Sequence, residues 1–303
     1  MSGGPLRLAV AVALMAGCAS RSSEPARRVG APAPSAGDLL PGDLDVVVRI
    51  DWPRLRSSPL DARARQALSG AGLPRELGLL GSVLDGSRAV LIGVRILSDG
   101  FHGDGVLAIE GDDASLDPDV LLPPGAPGFR SLPAPPGVAM FARSGGCGRG
   151  EAELVVVLPH RGILVATPSE ADAVRRTAES GADADRLDPP ARGVASFAGR
   201  VRPGGGDVLP GPGGRLLRRV ATGLVAFSGT VELGEGLALE SDLVYASAED
   251  AENGEKAVGA AVAALEALGP SPRRVARSTR WLRRDRLVTL RTAIAIDALT
   301  AMP

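Results

Sequence analysis

The sequence predicts an α+β protein with antiparallel sheets, helices packed on one face of each sheet, and two degenerate repeated halves. Paired β-rich segments around short glycine-containing turns indicate hairpins, and amphipathic stretches between the hairpins indicate helices. The same order of hairpins and helices recurs in the second half. The chain has 303 residues, of which 45% are hydrophobic, so it can bury the core of one large domain or two smaller ones.

The first half is predicted to span residues 39–190. Its elements in order are a strand at 45–51, helices at 58–70 and 74–84, strands at 88–97, 106–110, 138–143, 154–158 and 163–166, and a helix at 167–180. The first strand ends at Trp52-Pro53. Two of the helices begin with a hydroxyl residue, a proline and a carboxylate, in the segments Ser58–Asp61 and Thr167–Glu170, which is typical of a capping box. The proline-rich segment 118–136 is predicted to be mostly irregular.

The second half is predicted to span residues 191–303. Its elements in order are a strand at 193–200, a short helix at 215–222, a hairpin of 224–233 and 236–245, a helix at 247–268, and a final hairpin. Ser247 and Asp250 repeat the capping pattern at the longest helix. The last strand carries Val288, Leu290, Ile294 and Ile296 on one side and Arg291 and Asp297 on the other.

Two pairs of segments share a layout between the halves. Segments 87–112 and 222–243 both contain a strand, a Gly-acidic-Gly turn and a second strand, and segment 153–167 resembles 279–291 in hairpin form. We therefore predict a degenerate duplication. The layout resembles that of bacterial envelope proteins built from repeated strand-helix units, a likeness of pattern that implies no activity.

Residues 1–17 have the parts of an export signal. Arg7 precedes an uncharged apolar run from Leu8 to Ala16, which is shorter than the about 20 helical residues needed to cross a bilayer. The run closes on Leu14-Met15-Ala16-Gly17-Cys18, which resembles the lipobox of bacterial lipoproteins, although that family prefers leucine where Met15 stands. The alternative is an ordinary cleaved secretion signal.

The resemblance implies cleavage between Gly17 and Cys18 and attachment of lipid, palmitate included, to Cys18. It also implies transfer to the outer membrane, because Ala19 stands where an aspartate would favour retention in the inner membrane. The following segment is rich in Ser, Pro, Ala and Arg, so residues 18–38 are predicted to form the lipidated N-terminus and a disordered tether. Such a tether reaches roughly 25 Å on average.

Several kinds of chemistry are not expected from this sequence. The lone lysine, Lys256, follows no glycine run, which excludes a P-loop, and the chain has no Gly-x-Ser-x-Gly or His-Glu-x-x-His motif. Once Cys18 is lipidated, Cys147 has no internal partner for a disulfide. His102 and His160 are predicted to lie in surface turns. We expect no cofactor and no metal site, and the net charge of −1 gives no reason to expect a nucleic acid partner.

The final hairpin is rich in arginine. Its candidate anion-docking residues are Arg280, Arg283, Arg284 and Arg286, with Trp281 among them and Asp285 as the opposing charge. Guanidinium groups bind phosphates and carboxylates through forked hydrogen bonds. The alternative interpretation is a solvated hairpin in a protein that uses arginine throughout.

These observations favour a lipid-anchored envelope protein that acts as a non-catalytic binding or scaffold module. Its expected partners are the membrane, through the N-terminal lipid, and anionic envelope polymers or another envelope protein. The alternative is an envelope hydrolase with an unrecognised acidic site, for which Asp45, Asp51 and Asp112 are the candidates. A cleft with two close carboxylates of raised pKa would favour that enzyme.

Overall fold

The computed structural model describes residues 35–62, 80–96, 105–111, 128–145, 147, 151–181, 185–202, 218–267 and 269–295. The predicted α+β class is confirmed, and the strand pairs within each part of the fold are antiparallel. The chain divides into two compact units. The first lies within Ser22–Arg95 and Phe101–Leu187, and the second contains Asp188–Pro303 and Ile96–Gly100.

The first unit contains seven described strands in the order β1-β2-β3-β7-β6-β5-β4. Its elements are β1 (Val46–Asp51), α1 (Trp52–Arg56), α2 (Leu80–Asp85), β2 (Ser87–Val94), β3 (Gly105–Gly111), β4 (Phe129–Leu132), β5 (Ala139–Arg143), β6 (Leu154–Leu158), β7 (Gly162–Ala166) and α3 (Pro168–Ser180). Most of the helix predicted at 58–70 and the first part of the helix predicted at 74–84 lie outside the described residues.

Two elements of the first unit differ from expectation. The chain does not simply leave the strand at Trp52-Pro53 but turns into α1, because the Asp51 carboxylate accepts a hydrogen bond from the Arg54 N–H at 3.1 Å and caps the helix. Within the proline-rich segment expected to be irregular, β4 forms by pairing with β5. Tertiary pairing therefore imposes a strand where the local pattern gives no signal.

The central strands of the first unit are buried on both faces. All residues of β6 and β7 are buried. One face packs beneath α3 and the 3-10 helix Gly37–Leu39, in a cluster that includes Leu39, Val156 and Val174. The alternate residues Val155 and Ile163, which point to the other face, are also buried. Both faces of these central strands are therefore buried, which agrees with their near-continuous apolar sequences.

The second unit contains five described strands in the order β8-β9-β10-β12-β11. Its elements are β8 (Ala195–Arg200), helical residues 218–221, β9 (Leu224–Leu233), β10 (Gly236–Tyr245), α4 (Ala248–Ala267), α5 (Pro270–Ser278), β11 (Arg280–Arg284) and β12 (Leu287–Ala295). The predicted cap of α4 is confirmed, because the Asp250 N–H donates to Ser247 Oγ at 3.0 Å. Helix α5 was not expected from its proline- and arginine-rich sequence.

The sheet of the second unit has one helix-covered face. Tyr245 packs against Gly254 of α4, and Leu243 and Val288 of the same face are buried. On the opposite face, Glu240 is half-buried and Arg291 is exposed, and the two form an ion pair at 2.8 Å. This unit therefore has the predicted arrangement of helices on one face of an antiparallel sheet.

The two units share a strand topology. The order β1-β2-β3-β7-β6 of the first corresponds to β8-β9-β10-β12-β11 of the second. Hairpin β2–β3 corresponds to β9–β10, and β6–β7 corresponds to β11–β12, which are the segments that the sequence pairs. The units differ in what joins the hairpins, namely β4 and β5 in the first and α4 and α5 in the second.

Strands β8 and β9 are joined by two reciprocal glycine-aromatic pairs. Phe197 lies opposite Gly229, and Gly199 lies opposite Phe227. A Cβ on Gly199 would lie 2.3 Å from Phe227 Cζ, and a Cβ on Gly229 would lie 2.5 Å from Phe197 Cζ. Each ring therefore occupies the space that a side chain on the opposing residue would need.

The folded body begins at or before Ser35, earlier than the predicted start near Leu39. Ala36 is completely buried, and the Gly37 N–H donates to the Glu110 carboxylate at 3.2 Å. Arg186 forms an ion pair with Asp38. The last residues assigned to the tether from the sequence are thus part of the first unit.

We expect Gly199→Ala to lower the free energy of unfolding by about 1–3 kcal/mol, because the added methyl group overlaps the Phe227 ring. Gly234→Ala is the control, since a Cβ at Gly234 has no heavy atom within 4 Å. Urea denaturation measures both effects. Equal stabilities of the two variants would contradict this account of the pairing.

We expect acid to release the segment around Asp38. Burial raises the pKa of Asp38, but hydrogen bonds from Ser35 and the charge of Arg186 outweigh it and hold the pKa below its usual value. Because the folded-state pKa is depressed, this stabilisation is present above the ordinary aspartate pKa and is lost as the pH falls through the folded-state value.

Hydrogen exchange at the Leu39 and Leu40 amides, followed against pH, measures this release. Asp38→Asn should exchange faster at neutral pH and show a weaker acid dependence than the wild type. Asp172→Asn, which removes an exposed carboxylate paired with Arg175, is the control and should follow the wild-type profile. An acid dependence unchanged by Asp38→Asn would refute the assignment.

Candidate functional site

The arginine-rich hairpin places its candidate residues on two faces of the sheet. Strands β11 and β12 pair from Arg280 opposite Arg291 to Arg284 opposite Leu287, and the turn contains Asp285 with φ 53°. Because side chains alternate along a strand, Arg280 and Arg284 share one face with Leu282. Arg283 points to the other face.

Arg283 is engaged by helix α4. Its Nε donates to Glu255 Oε2 at 3.0 Å, and both side chains are about one-third exposed. Lys256 and, to a smaller extent, the charge of Arg283 lower the pKa of Glu252 on the same helix. Arg283 therefore stabilises the contact between the hairpin and α4.

The other three arginines lie at the surface. Arg280 Nη1 donates to the Arg277 carbonyl at 2.7 Å and to the Thr279 carbonyl at 2.9 Å, where α5 ends. These bonds satisfy carbonyl groups that the helix leaves unpaired. Within the described residues, the exposed side chains of Arg284 and Arg286 make no hydrogen bond or ion pair. The four predicted docking residues thus have three different environments, and the structure does not bring all four to one surface.

Apolar side chains are exposed between these arginines. Trp281 is 37% exposed and Leu282 is 55% exposed, and they point to opposite faces of β11. Trp281 lies beside α4, where its Cζ2 is 3.4 Å from the position of a Cβ on Gly259. Strand β11 is the terminal strand of its unit and, in the described residues, is hydrogen-bonded to β12 alone.

A partly buried charge cluster lies in the first unit, where sequence analysis does not identify a site. Arg95 Nε and Nη2 donate to the two carboxylate oxygens of Glu170 at 2.8 and 3.0 Å. Arg95 Nη1 and Nη2 donate to the Asp43 carboxylate, each at 2.8 Å. The Glu170 side chain is completely buried, whereas that of Asp43 is 63% exposed.

The Glu170 contact corrects the predicted capping box of α3. Glu170 turns to Arg95, and the Thr167 side chain makes no cap hydrogen bond to the helix. Thr167 Oγ1 instead accepts a hydrogen bond from the Gly105 N–H at 2.9 Å. The hydrogen bond from Arg95 to Glu170, followed by that to Asp43, raises the pKa of Arg95. One cation binds both carboxylates in forked hydrogen bonds. The geometry therefore suits an ion pair that stabilises the fold rather than a group that transfers a proton.

The acidic residues considered for hydrolysis do not form a pair. Asp45 and Asp51 lie at opposite ends of β1, roughly 20 Å apart at 3.3 Å per residue. Asp45 is buried, and Asp51 caps α1. Asp112 lies outside the described residues.

The other candidate groups are dispersed. His160 is exposed with φ 60° in the β6–β7 turn, where the sequence predicts it, and His102 lies outside the described residues. Burial raises the pKa of Cys147, whose Sγ donates to the Glu151 carbonyl at 3.5 Å. In the described part of the chain, no group of three or more His, Cys, Asp or Glu side chains is placed to hold a metal ion.

The predicted cleavage and lipidation residues, Gly17 and Cys18, lie outside the described residues. None of the described helices combines the length and the apolar character needed to span a membrane.

No protein-family model matches the chain, and no curated protein matches it in sequence. Its fold is similar to that of a solved protein described as "Structure of crystal form I of TP0453", with a TM-score of 0.52. The match covers 89% of this chain and 96% of the other, at 9% sequence identity. At this identity the likeness supports the fold alone.

We expect Arg95→Met to lower the free energy of unfolding by about 3–5 kcal/mol, because it leaves the Glu170 carboxylate buried without its partner. Arg95→Met combined with Glu170→Met should be less destabilised than Arg95→Met alone, since no buried charge then remains. Arg175→Met removes an exposed pair with Asp172 and should cost less than about 1 kcal/mol. Guanidinium denaturation distinguishes the variants. If the effects of Arg95→Met and Glu170→Met on the free energy of unfolding simply add in the double variant, the two side chains are not energetically coupled and this account is wrong.

Proposed function

We propose that this chain is a lipid-anchored protein of the outer membrane of a bacterial cell envelope, and that its folded body binds another envelope component without catalysing a reaction. The observation that carries the proposal is the sequence Leu14-Met15-Ala16-Gly17-Cys18 at the end of an uncharged apolar run. Peptidase cleavage before Cys18, attachment of a lipid group to its sulfur and acylation of the new amino group would supply the anchor.

The strength of such an anchor follows from its acyl chains. Each buried methylene contributes about 0.8 kcal/mol, so one chain holds a protein reversibly while several hold it for its lifetime. The body that the anchor carries begins by Ser35, where Ala36 and the ion pair between Asp38 and Arg186 attach the chain to the first unit. Residues between Cys18 and that attachment would be the spacer.

A binding role is supported by the surface of the final hairpin. Arg284 and Arg286 have no ion pair within the described residues, and Trp281 and Leu282 are exposed beside them. Unpaired guanidinium groups next to apolar side chains suit an anionic partner, such as an envelope polymer or another envelope protein. The hydrolase alternative gains no support from Asp45 and Asp51, which are separated by the length of β1.

We expect Cys18→Ala to abolish incorporation of labelled palmitate and to move the protein from the membrane fraction to the soluble fraction, because it removes the sulfur that would carry the lipid. Cys147→Ala is the matched control, since it removes the other cysteine and should leave both properties unchanged. Mass spectrometry of the mature N-terminus identifies the acylated residue. Label retained by Cys18→Ala, or a mature chain that begins at another residue, would disprove the anchor.

A further inference from the structure

We infer that the outer edge of β11 binds an extended acidic polypeptide segment, which adds to the sheet as a further strand. The inference rests on the proposed function as a binding module and names the class of partner. It depends on three observations, namely the open hydrogen-bonding edge of the strand, its arginine side chains, and the exposed apolar residues between them.

The first observation is the edge itself. Strand β11 is the terminal strand of the second unit and is hydrogen-bonded, in the described residues, to β12 alone. In an antiparallel pair, alternate residues direct their backbone N–H and C=O groups away from the partner. The outer side of Arg280–Arg284 therefore offers a row of donors and acceptors to an added strand.

The second observation is the charge along this edge. Arg280 and Arg284 lie on one face of β11, and Arg286 follows in the turn. Arg284 and Arg286 have no ion pair within the described chain, and Asp285 is the acidic residue among them. Carboxylates placed opposite Arg280 and Arg284 would form charge-assisted cross-strand pairs.

The third observation is the exposed apolar residue on each face of the strand. Leu282 lies between Arg280 and Arg284, while Trp281 lies on the other face against Gly259 of α4. An added strand also alternates its side chains between the two faces. It would thus cover Leu282 with one side chain and Trp281 with the next.

Charge selects an acidic strand over a second copy of this chain. Two β11 edges that pair with each other would bring their arginines together, and like charges placed opposite each other destabilise a sheet. Charged edge strands are a common means of preventing self-association. An acidic segment converts the same repulsive edge into an attractive one.

Side-chain direction selects a strand over a flat membrane surface. Trp281 and Leu282 point to opposite faces of β11, and Arg283 on the Trp281 face is held by Glu255. A lipid surface that receives one of these apolar side chains leaves the other uncovered. The geometry favours a partner with an acidic residue, two apolar residues, a neutral residue and a second acidic residue in succession.

A synthetic peptide with the core Glu-Val-Val-Thr-Glu and uncharged flanks tests the inference with the intact chain. Trp52 is completely buried and Trp281 is exposed, so quenching of tryptophan fluorescence by acrylamide reports on Trp281. We expect the peptide to protect Trp281 from acrylamide, and Trp281→Phe to remove this signal. A peptide with Lys in place of both Glu residues should give no protection.

Backbone methylation separates strand addition from simple charge attraction. Two further peptides carry N-methyl groups on alternate residues, one on the odd and one on the even positions of the core. Because only one set of N–H groups faces β11, one peptide should bind at least about tenfold more weakly while the other binds like the parent. Equal affinities of the two methylated peptides would overturn the inference.

Substitution of the exposed Arg284 tests whether the positive charge of this edge contributes to binding. We expect Arg284→Glu to weaken binding of the parent peptide by at least about tenfold. Arg176→Glu in α3 is the matched control, because Arg176 is also exposed and has no side-chain ion pair within the described residues. It should bind like the wild type, and an equal loss in both variants would reduce the effect to net charge and reject the site.

Vesicles of anionic phospholipid test whether the edge of β11 binds a membrane surface instead of a polypeptide. Arg284-dependent binding to vesicles, without protection of Trp281 by the peptide, would overturn the inference and assign this edge to the membrane. The acylation of Cys18 is measured independently, so the anchor can stand when the peptide fails to bind. Loss of the anchor with retained peptide binding would instead leave the strand-addition site in place and reject lipid attachment.

Discussion

The first unit depends on the double fork of Arg95. This one guanidinium joins the loop before β1, through Asp43, to the first turn of α3, through the completely buried Glu170. The partners are 52 and 75 residues away from Arg95 in sequence. A cation in this position compensates a carboxylate that would be too costly to bury alone. It thereby fixes the position of α3 on the sheet, which apolar packing alone does not determine because the hydrophobic effect is non-directional.

The second unit obtains its specificity from shape rather than from buried charge. Phe197 and Phe227 each cover a glycine on the neighbouring strand, and Tyr245 covers Gly254 of α4 while its hydroxyl donates to the Val220 carbonyl at 2.9 Å. Only 3% of the residues of this chain are aromatic, so few alternative pairings of a ring with a glycine are possible. Because each of these rings fits only over a glycine, the two phenylalanines set the register between β8 and β9, and Tyr245 sets the position of α4 on the sheet.

The sequence predicted the elements that carry their own local signal. Ser247 caps α4 as its pattern indicates, and the hairpins follow from apolar runs around short turns. Thr167 and Glu170 have the same capping pattern, but Glu170 binds Arg95 instead. The reason is that a completely buried carboxylate needs a cation as its partner more than the helix needs a cap. Helix α1 and strand β4 depend on a single cap and on pairing with β5, respectively, so periodicity does not reveal them. The Arg95 cluster was missed for a related reason, since contacts over such separations leave no pattern in a single sequence.

The arginine hairpin shows why residue type alone does not define a docking surface. The strand period divides adjacent arginines between the faces of β11, so Arg283 is held by α4 while Arg284 stays exposed. The equivalent strand of the first unit, β6, is completely buried and continues into further pairing with β5. In the second unit α4 and α5 occupy the sequence interval in which the first unit has β4 and β5, and within the described residues no further strand pairs with the outer edge of β11. The same topology thus has an additional hairpin at this position in one unit and an available strand edge in the other, which is the physical basis for expecting a partner there.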